Sequence, residues 1–122
     1  MNIEAIDLYK QTKYLQQELA GVQIQRIFMP TPQSVLFECR GKKNIRLLAD
    51  LGGNGPALYI HEGVLPTPAE PPGFCMLLRK HFEDGYIERV EQLNFDRIII
   101  LKINAPIPGD KYTPKELVYE LT

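Results

Sequence analysis

The sequence lacks any apolar run approaching the roughly twenty residues that span a bilayer, and its start, Met1-Asn2-Ile3-Glu4, lacks the basic region and apolar stretch of a secretory signal. Both absences argue against a membrane partner, and a cytoplasmic protein is expected. Cysteine is scarce. Cys39 and Cys75 each sit within an apolar pattern and without CxxC spacing, which argues against a disulfide framework and a zinc site and leaves two buried free thiols in a reducing compartment. The only histidines, His61 and His81, have no second ligand at metal spacing, so neither a metal nor another cofactor is expected.

Charge of one sign is missing as well. Fourteen Lys plus Arg against fifteen Asp plus Glu leave a formal net charge of -1, so no global basic field drives nucleic-acid binding, although a local basic patch is still allowed. No nucleophile elbow or paired-carboxylate site stands out, and a catalytic role is not expected. Leu51-Gly52-Gly53-Asn54-Gly55 invites a phosphate-cradle reading. That reading fails on context, because no Gly-Lys-Ser/Thr follows and Ala57 to His61 looks like a strand; a turn is expected instead.

What is present is a chain of 122 residues, enough for one domain with a core. Ile3 to Ala20 has helical periodicity, with Asn2 as the cap and Gly21 as the stop. Val22 to Met29, Ser34 to Arg40 and Ile45 to Ala49 read as an antiparallel meander, and the proline-rich Val64 to Pro72 as a stiff connector. A second helix starts at Pro71-Pro72 and stops at Gly85. Its Phe74, Leu77, Leu78, His81 and Phe82 are expected to pack on the sheet, with Arg79, Lys80 and Glu83 on the other face. Tyr86 to Leu93 reads as a strand, Arg97 to Ile103 as a central strand covered on both faces, Asn104 to Pro114 as a loop, and Lys115 to Leu121 as a last strand. The expected fold is α+β: an antiparallel, sandwich-like or curled sheet with two packed helices.

Two residues stand apart in this pattern. Asp96 and Arg97 lie between the turn-prone Asn94 and a strongly apolar strand, where they face opposite sides. An aspartate there can accept hydrogen bonds from base amino groups, and an arginine can grip phosphate or stack on a base. Arg79 and Lys80 are candidates for RNA phosphate contacts, their helix face meeting either phosphate or water. Asp7, in the first turn of the first helix, suits the helix dipole whatever else it does.

Pro71-Pro72-x-Phe74-Cys75-Met76-Leu77-Leu78-Arg79-Lys80-His81, with Phe95-Asp96-Arg97-Ile98-Ile99 after it, resembles the signature of the N-terminal domain of the NFACT family. Bacterial members are often called fibronectin-binding protein A, and the better-understood members are tailing factors of ribosome-associated quality control. The opening (Leu15, Leu19, Gly21, Ile24, Ile27, Pro30) and Glu116 to Leu121 also match, so residues 1–122 are read as this domain. Because family members continue further, the chain is expected to be a fragment of a longer multidomain protein.

The resemblance implies a protein that binds the large ribosomal subunit carrying a stalled peptidyl-tRNA, recruits charged tRNA, and supports untemplated C-terminal tailing of the nascent chain. In bacterial relatives the tail is alanine and marks the chain for degradation. It also implies a fold similar to the N-terminal domain of formamidopyrimidine-type DNA glycosylases, and tRNA binding by Asp96, Arg97 and an acidic residue of the first helix. For that residue the spacing back from Gly21 favours Asp7 over Glu4. Two rival readings are a structural or protein-interaction domain of the fibronectin-binding type and a glycosylase-like DNA-binding enzyme. The latter would need an N-terminal proline nucleophile, where this chain has Asn2-Ile3.

Overall fold

The computed structural model describes residues 5–52, 57–68, 70–94 and 97–120, with side chains from residue 7 onward. Helix α1 (Ala5–Leu19) is followed by strands β1 (Gln23–Phe28), β2 (Ser34–Arg40), β3 (Asn44–Asp50) and β4 (Ala57–His61). Then come α2 (Gly73–Phe82), β5 (Tyr86–Gln92), β6 (Ile98–Ile107) and β7 (Lys111–Glu120). The seven strands form one antiparallel sheet in the order β4-β3-β2-β1-β5-β6-β7, two meanders joined along a β1–β5 seam. The expected α+β class and curled sheet are observed. The proposed Asn2 cap and most of the Gly52–Gly55 turn lie outside the described residues.

The sheet curls until its two outer strands meet. Tyr119 on β7 reaches across to the far edge, its hydroxyl 2.6 Å from the Asp50 carbonyl oxygen and 2.9 Å from that of Ala57, at the facing ends of β3 and β4. Inside the curl, strand alternation supplies the core: Ile24 and Ile27, Phe37 and Cys39, Ile45 and Leu47, Ile87 and Val90, and Ile99, Leu101, Ile103 and Ala105. Both cysteines are buried free thiols.

Helix α1 buries Leu8, Leu15 and Leu19 in this core. Its one buried polar residue, Thr12, donates its hydroxyl proton back to the Leu8 carbonyl at 2.7 Å, which satisfies the group without a tertiary partner. Two side chains then pin the helix: Gln16 Oε1 accepts from the Val90 N–H at 2.6 Å, and Gln11 Nε2 donates to the Leu58 carbonyl at 3.3 Å. Gly21, at φ 86°, lets the chain leave the helix in the left-handed region and enter β1.

The seam is narrow. β1 and β5 pair in register only at Gln23 and Tyr86, with backbone bonds continuing between Ile24 and Gly85, Ile24 and Asp84, Ile87 and Val22, and Ile87 and Gly21. Beyond Ile24 the strands part and α2 takes the vacated edge of β1. There the Ile27 N–H donates to Glu83 Oε2 at 3.0 Å, and the Ile27 carbonyl accepts from Arg79 Nε at 2.7 Å and from Cys75 Sγ at 3.5 Å. Side chains of α2 thus satisfy backbone groups that a neighbouring strand would otherwise hold.

Four expectations are corrected. In α2 the buried residues are Cys75, Leu78 and Phe82, whereas Phe74 and Leu77 remain 56% and 51% exposed. The helix has apolar residues on most sides, so periodicity alone points to the wrong face. His81 is half-buried, its Nδ1 3.1 Å from Lys115 Nζ, rather than packed on the core. Asn104 to Pro114 is not a loop: β6 and β7 run on through it, pairing Asn104 with Pro114 and Pro106 with Tyr112 around a turn at residues 108–110. Proline fits there because β7 is an edge strand and β6 has outrun β5.

The third correction concerns β6, where burial alternates, with Ile98, Ile100 and Lys102 half-exposed, so the strand is covered on one face only. The fourth concerns Gly85. Asp84, at φ 67°, takes the left-handed position after α2. Gly85 is needed for space, since a Cβ there would lie 2.8 Å from Ile103 Cγ2 and 3.0 Å from the Phe82 carbonyl oxygen.

Candidate nucleic-acid interface

The placement of Asp7 follows from how α1 lies on β5. The Gly21 N–H donates to the Ile87 carbonyl and Gln16 holds the Val90 N–H, so the helix and the strand run antiparallel. From Gln16 back to Asp7 the helix advances ~13 Å, about the length of four strand residues. Asp7 therefore stands level with the turn that follows Gln92. It is exposed in the first helical turn, where the N-terminal dipole favours an acid.

That turn leads into Arg97. The Leu93 N–H donates to the Ile98 carbonyl at 2.9 Å and Asn94 takes φ 49°, closing the β5–β6 hairpin. Arg97 is half-buried at the root of β6. Asp96 lies outside the described residues. Asp7 and Arg97 thus lie at a similar level along the sheet, Asp7 on the side of α1 opposite Gln16, nine residues and so half a turn away.

The two basic residues of α2 lie elsewhere and differ from each other. Lys80 is exposed. Arg79 is committed to the fold: its Nε donates to the Ile27 carbonyl, its guanidinium lies 5.3 Å from the Phe28 ring centroid, and Glu83 Oε2 is 3.8 Å away. The partners of Arg79 lie on β1 and at the end of α2.

Three further residues come together that the sequence does not single out. Lys13 Nζ lies 5.3 Å over the ring of Tyr9, and both border a shallow cleft of about 390 Å³ whose opposite wall carries Arg89. Arg89 is paired at 3.1 Å with Glu91, whose carboxylate also meets Lys102 at 3.5 Å. The i,i+4 spacing of Tyr9 and Lys13 is the only sequence signal for this arrangement. Chemically, the cleft offers guanidinium and ammonium donors for phosphate and an aromatic ring on which a base can stack, while Asp7, on another side of α1, offers a carboxylate acceptor.

Other chemistries find less. Among the described residues no three His, Cys, Asp or Glu side chains gather at metal-binding range, and no helix is long and apolar enough to cross a membrane. His61 lies beside Tyr59, ring centroids 6.1 Å apart.

The fold defines a class: a small α+β domain with a curled seven-stranded antiparallel sheet and two packed helices. Residues 4–122 match the family model described as NFACT N-terminal and middle domains. The chain belongs to the NFACT family. It is 35% identical over 122 residues to the Rqc2 homolog RqcH of Bacillus subtilis, covering 99% of this chain and 21% of that protein. It is 30% identical over 100 residues to ribosome quality control complex subunit 2 of Saccharomyces cerevisiae, covering 82% of this chain and 10% of that protein. The chain thus spans about a fifth of its Bacillus relative and a tenth of its yeast relative.

Among solved structures, the N-terminal domain of fibronectin-binding protein PavA from Streptococcus pneumoniae superposes with a TM-score of 0.93 at 24% identity, over 99% of this chain and 48% of that one. The N-terminal part of the fibronectin/fibrinogen-binding protein from Streptococcus suis gives 0.94 at 24% identity, over 99% and 46%. At this identity the likeness is one of fold.

Proposed function

We propose that this domain is the tRNA-contacting part of a cytoplasmic ribosome quality control factor. It acts by binding, not by catalysis: the factor engages a large ribosomal subunit carrying stalled peptidyl-tRNA and recruits charged tRNA for untemplated tailing of the nascent chain. The names of the Bacillus and yeast relatives support the ribosomal context. The observation that carries the RNA contact is the position of Arg97, half-buried at the root of β6 directly after the turn that closes the β5–β6 hairpin, with Asp7 exposed in the first turn of α1.

In this reading Asp7, Asp96 and Arg97 form the tRNA contact. Lys80 remains available to phosphate, while Arg79 serves the fold first. The kinship with the N-terminal domain of formamidopyrimidine-type glycosylases belongs to the same reading and is one of shape, not of chemistry.

The test is Asp96→Ala with Arg97→Ala, and separately Asp7→Ala, measured by tRNA binding and thermal melting. Affinity is expected to fall about tenfold or more, the effect of ~1.4 kcal/mol or more, with Tm nearly unchanged. Wild-type affinity in the variants, or a melting loss large enough to explain the defect, overturns the assignment.

A further inference from the structure

The chain is close to neutral, yet its arginines are not evenly spread. On the outer face of β1, β2 and β3, Arg26 stands directly opposite Glu38, Glu38 opposite Arg46, and Arg46 opposite His61 on β4. Directly opposed residues point to the same side of a sheet, and the inward side is taken by Ile27, Phe37, Cys39, Ile45 and Leu47. Arg40, two residues beyond Glu38, shares the outer face. Three guanidinium groups therefore surround one carboxylate along a polar cleft of about 390 Å³.

The pairing within this group is incomplete. Arg46 Nε lies 3.4 Å from Glu38 Oε2, but among the described residues neither Arg26 nor Arg40 has an ion-pair partner, and both are exposed. Lys42 and Lys43 extend the positive field into the β2–β3 turn, where Lys43 is 3.4 Å from Glu18. The directly opposed charges are of opposite sign, but one carboxylate faces three guanidinium groups, and the arginines diagonal to one another repel. A polyanion lying across the strands relieves that repulsion, and guanidinium forks on a diagonal of about 7–8 Å can each take phosphate oxygens in bidentate fashion.

We propose that the outer face of β1–β3, with Arg26 and Arg40 as the principal contacts, is a second RNA-binding surface that takes a phosphodiester backbone. The proposal rests on the reading of the domain as RNA-binding, but not on Asp7 and Arg97. Arg40 pairs with Gln23, and Gln23 with Tyr86, so Arg40 lies about seven strand residues, ~23 Å along the strands, from Leu93 at the hairpin, and the domain can hold two RNA segments at once. Backbone phosphate contact without base readout makes this second surface indifferent to sequence.

The experiment measures binding of a short fluorescein-labelled RNA duplex and of tRNA across a salt series, using the wild-type chain, Arg26→Ala with Arg40→Ala, Arg97→Ala, and Lys111→Ala as a control for an exposed cation elsewhere. The double arginine variant is expected to keep the wild-type Tm, bind the duplex about tenfold more weakly at low salt, and lose about two from the slope of log K against log salt, roughly one per phosphate contact. Lys111→Ala is expected to behave as wild type.

Unchanged duplex binding and salt slope in the double variant overturn this proposal, and if Arg97→Ala still impairs tRNA binding the first reading stands. Loss of duplex binding in the double variant together with wild-type tRNA binding by Arg97→Ala supports the arginine face and overturns the hairpin assignment. Displacement of the duplex by polyglutamate at equal charge concentration would mark an acidic-protein surface instead and also overturns the proposal. Absence of any RNA binding by the wild-type chain overturns both.

Discussion

The hydroxyl of Tyr119 meets the main-chain oxygen of Asp50 at 2.6 Å, sixty-nine residues away in the sequence. This contact, with its companion to Ala57 at 2.9 Å, joins the last strand of one meander to the outer strands of the other. Tyr119→Phe keeps the ring and removes only the clasp. It is expected to cost ~1–2 kcal/mol and to lower Tm by roughly 3–8 °C in a domain of this size, read by circular dichroism melting.

Stability should fall in alkali. Burial pushes the Cys39 thiol up from 9.0 to about 12, helped by the neighbouring Glu38 charge. Burial, and secondarily the Asp50 charge, raises the Tyr119 phenol from 10.0 to about 12, against the Ala57 hydrogen bond, which lowers it. In both cases the folded state holds its proton more tightly than the unfolded chain, so the unfolded state binds fewer protons at high pH and stability decreases as pH rises. The contribution is complete below about pH 9 for Cys39 and pH 10 for Tyr119, and is lost towards pH 12. Melting curves between pH 8 and 11 should show a flat region and then a decline, with the onset displaced upward in Cys39→Ala.

Neighbouring leucines on α2 should behave differently. Leu78 is buried and Leu77 is half-exposed, so Leu78→Ala is expected to cost ~2–4 kcal/mol and Leu77→Ala less than about 0.5 kcal/mol. Denaturant titration of the two variants measures the difference. Equal costs would mean that α2 presents another face to the sheet.

The same comparison applies to the adjacent cations. Arg79→Met leaves the Ile27 carbonyl with only the weak Cys75 thiol donor and Glu83 with only the Ile27 N–H, with an expected loss of ~1–3 kcal/mol. Lys80→Met, on the exposed side, should stay within about 0.5 kcal/mol. Any effect of Arg79 on RNA binding should therefore follow its effect on melting, whereas an effect of Lys80 should be independent of it.

Two strands were legible in the sequence: β2 spans Ser34–Arg40 as its alternation indicates, although Leu36, on the side opposite Val35, Phe37 and Cys39, is also buried, and β4 spans Ala57–His61. Prolines hid the long β6–β7 hairpin, since Pro106 and Pro114 break a central strand but not an unpaired edge, and edge position is a property of the assembled sheet. For α2, a run of Phe74-Cys75-Met76-Leu77-Leu78 offers apolar atoms in every direction, so the buried face is chosen by the sheet. Asp7 could be named as a candidate, but its level along the sheet depends on α1 running antiparallel to β5. The arginine ladder was equally hidden, because Arg26, Arg40 and Arg46 are neighbours only through the cross-strand register.

The seam between the meanders carries a mechanical consequence. Past Ile24 the backbone ladder gives way to the side chains of Glu83, Arg79 and Cys75, which hold Ile27 from a helix. Side-chain bonds can re-form over a range of angles where a strand ladder cannot, so the seam by itself would be the softest line of the sheet. The Tyr119 clasp from β7 to β3 and β4, and α1 bonded to both β4 and β5, bridge the two meanders away from that line and so fix the angle between them.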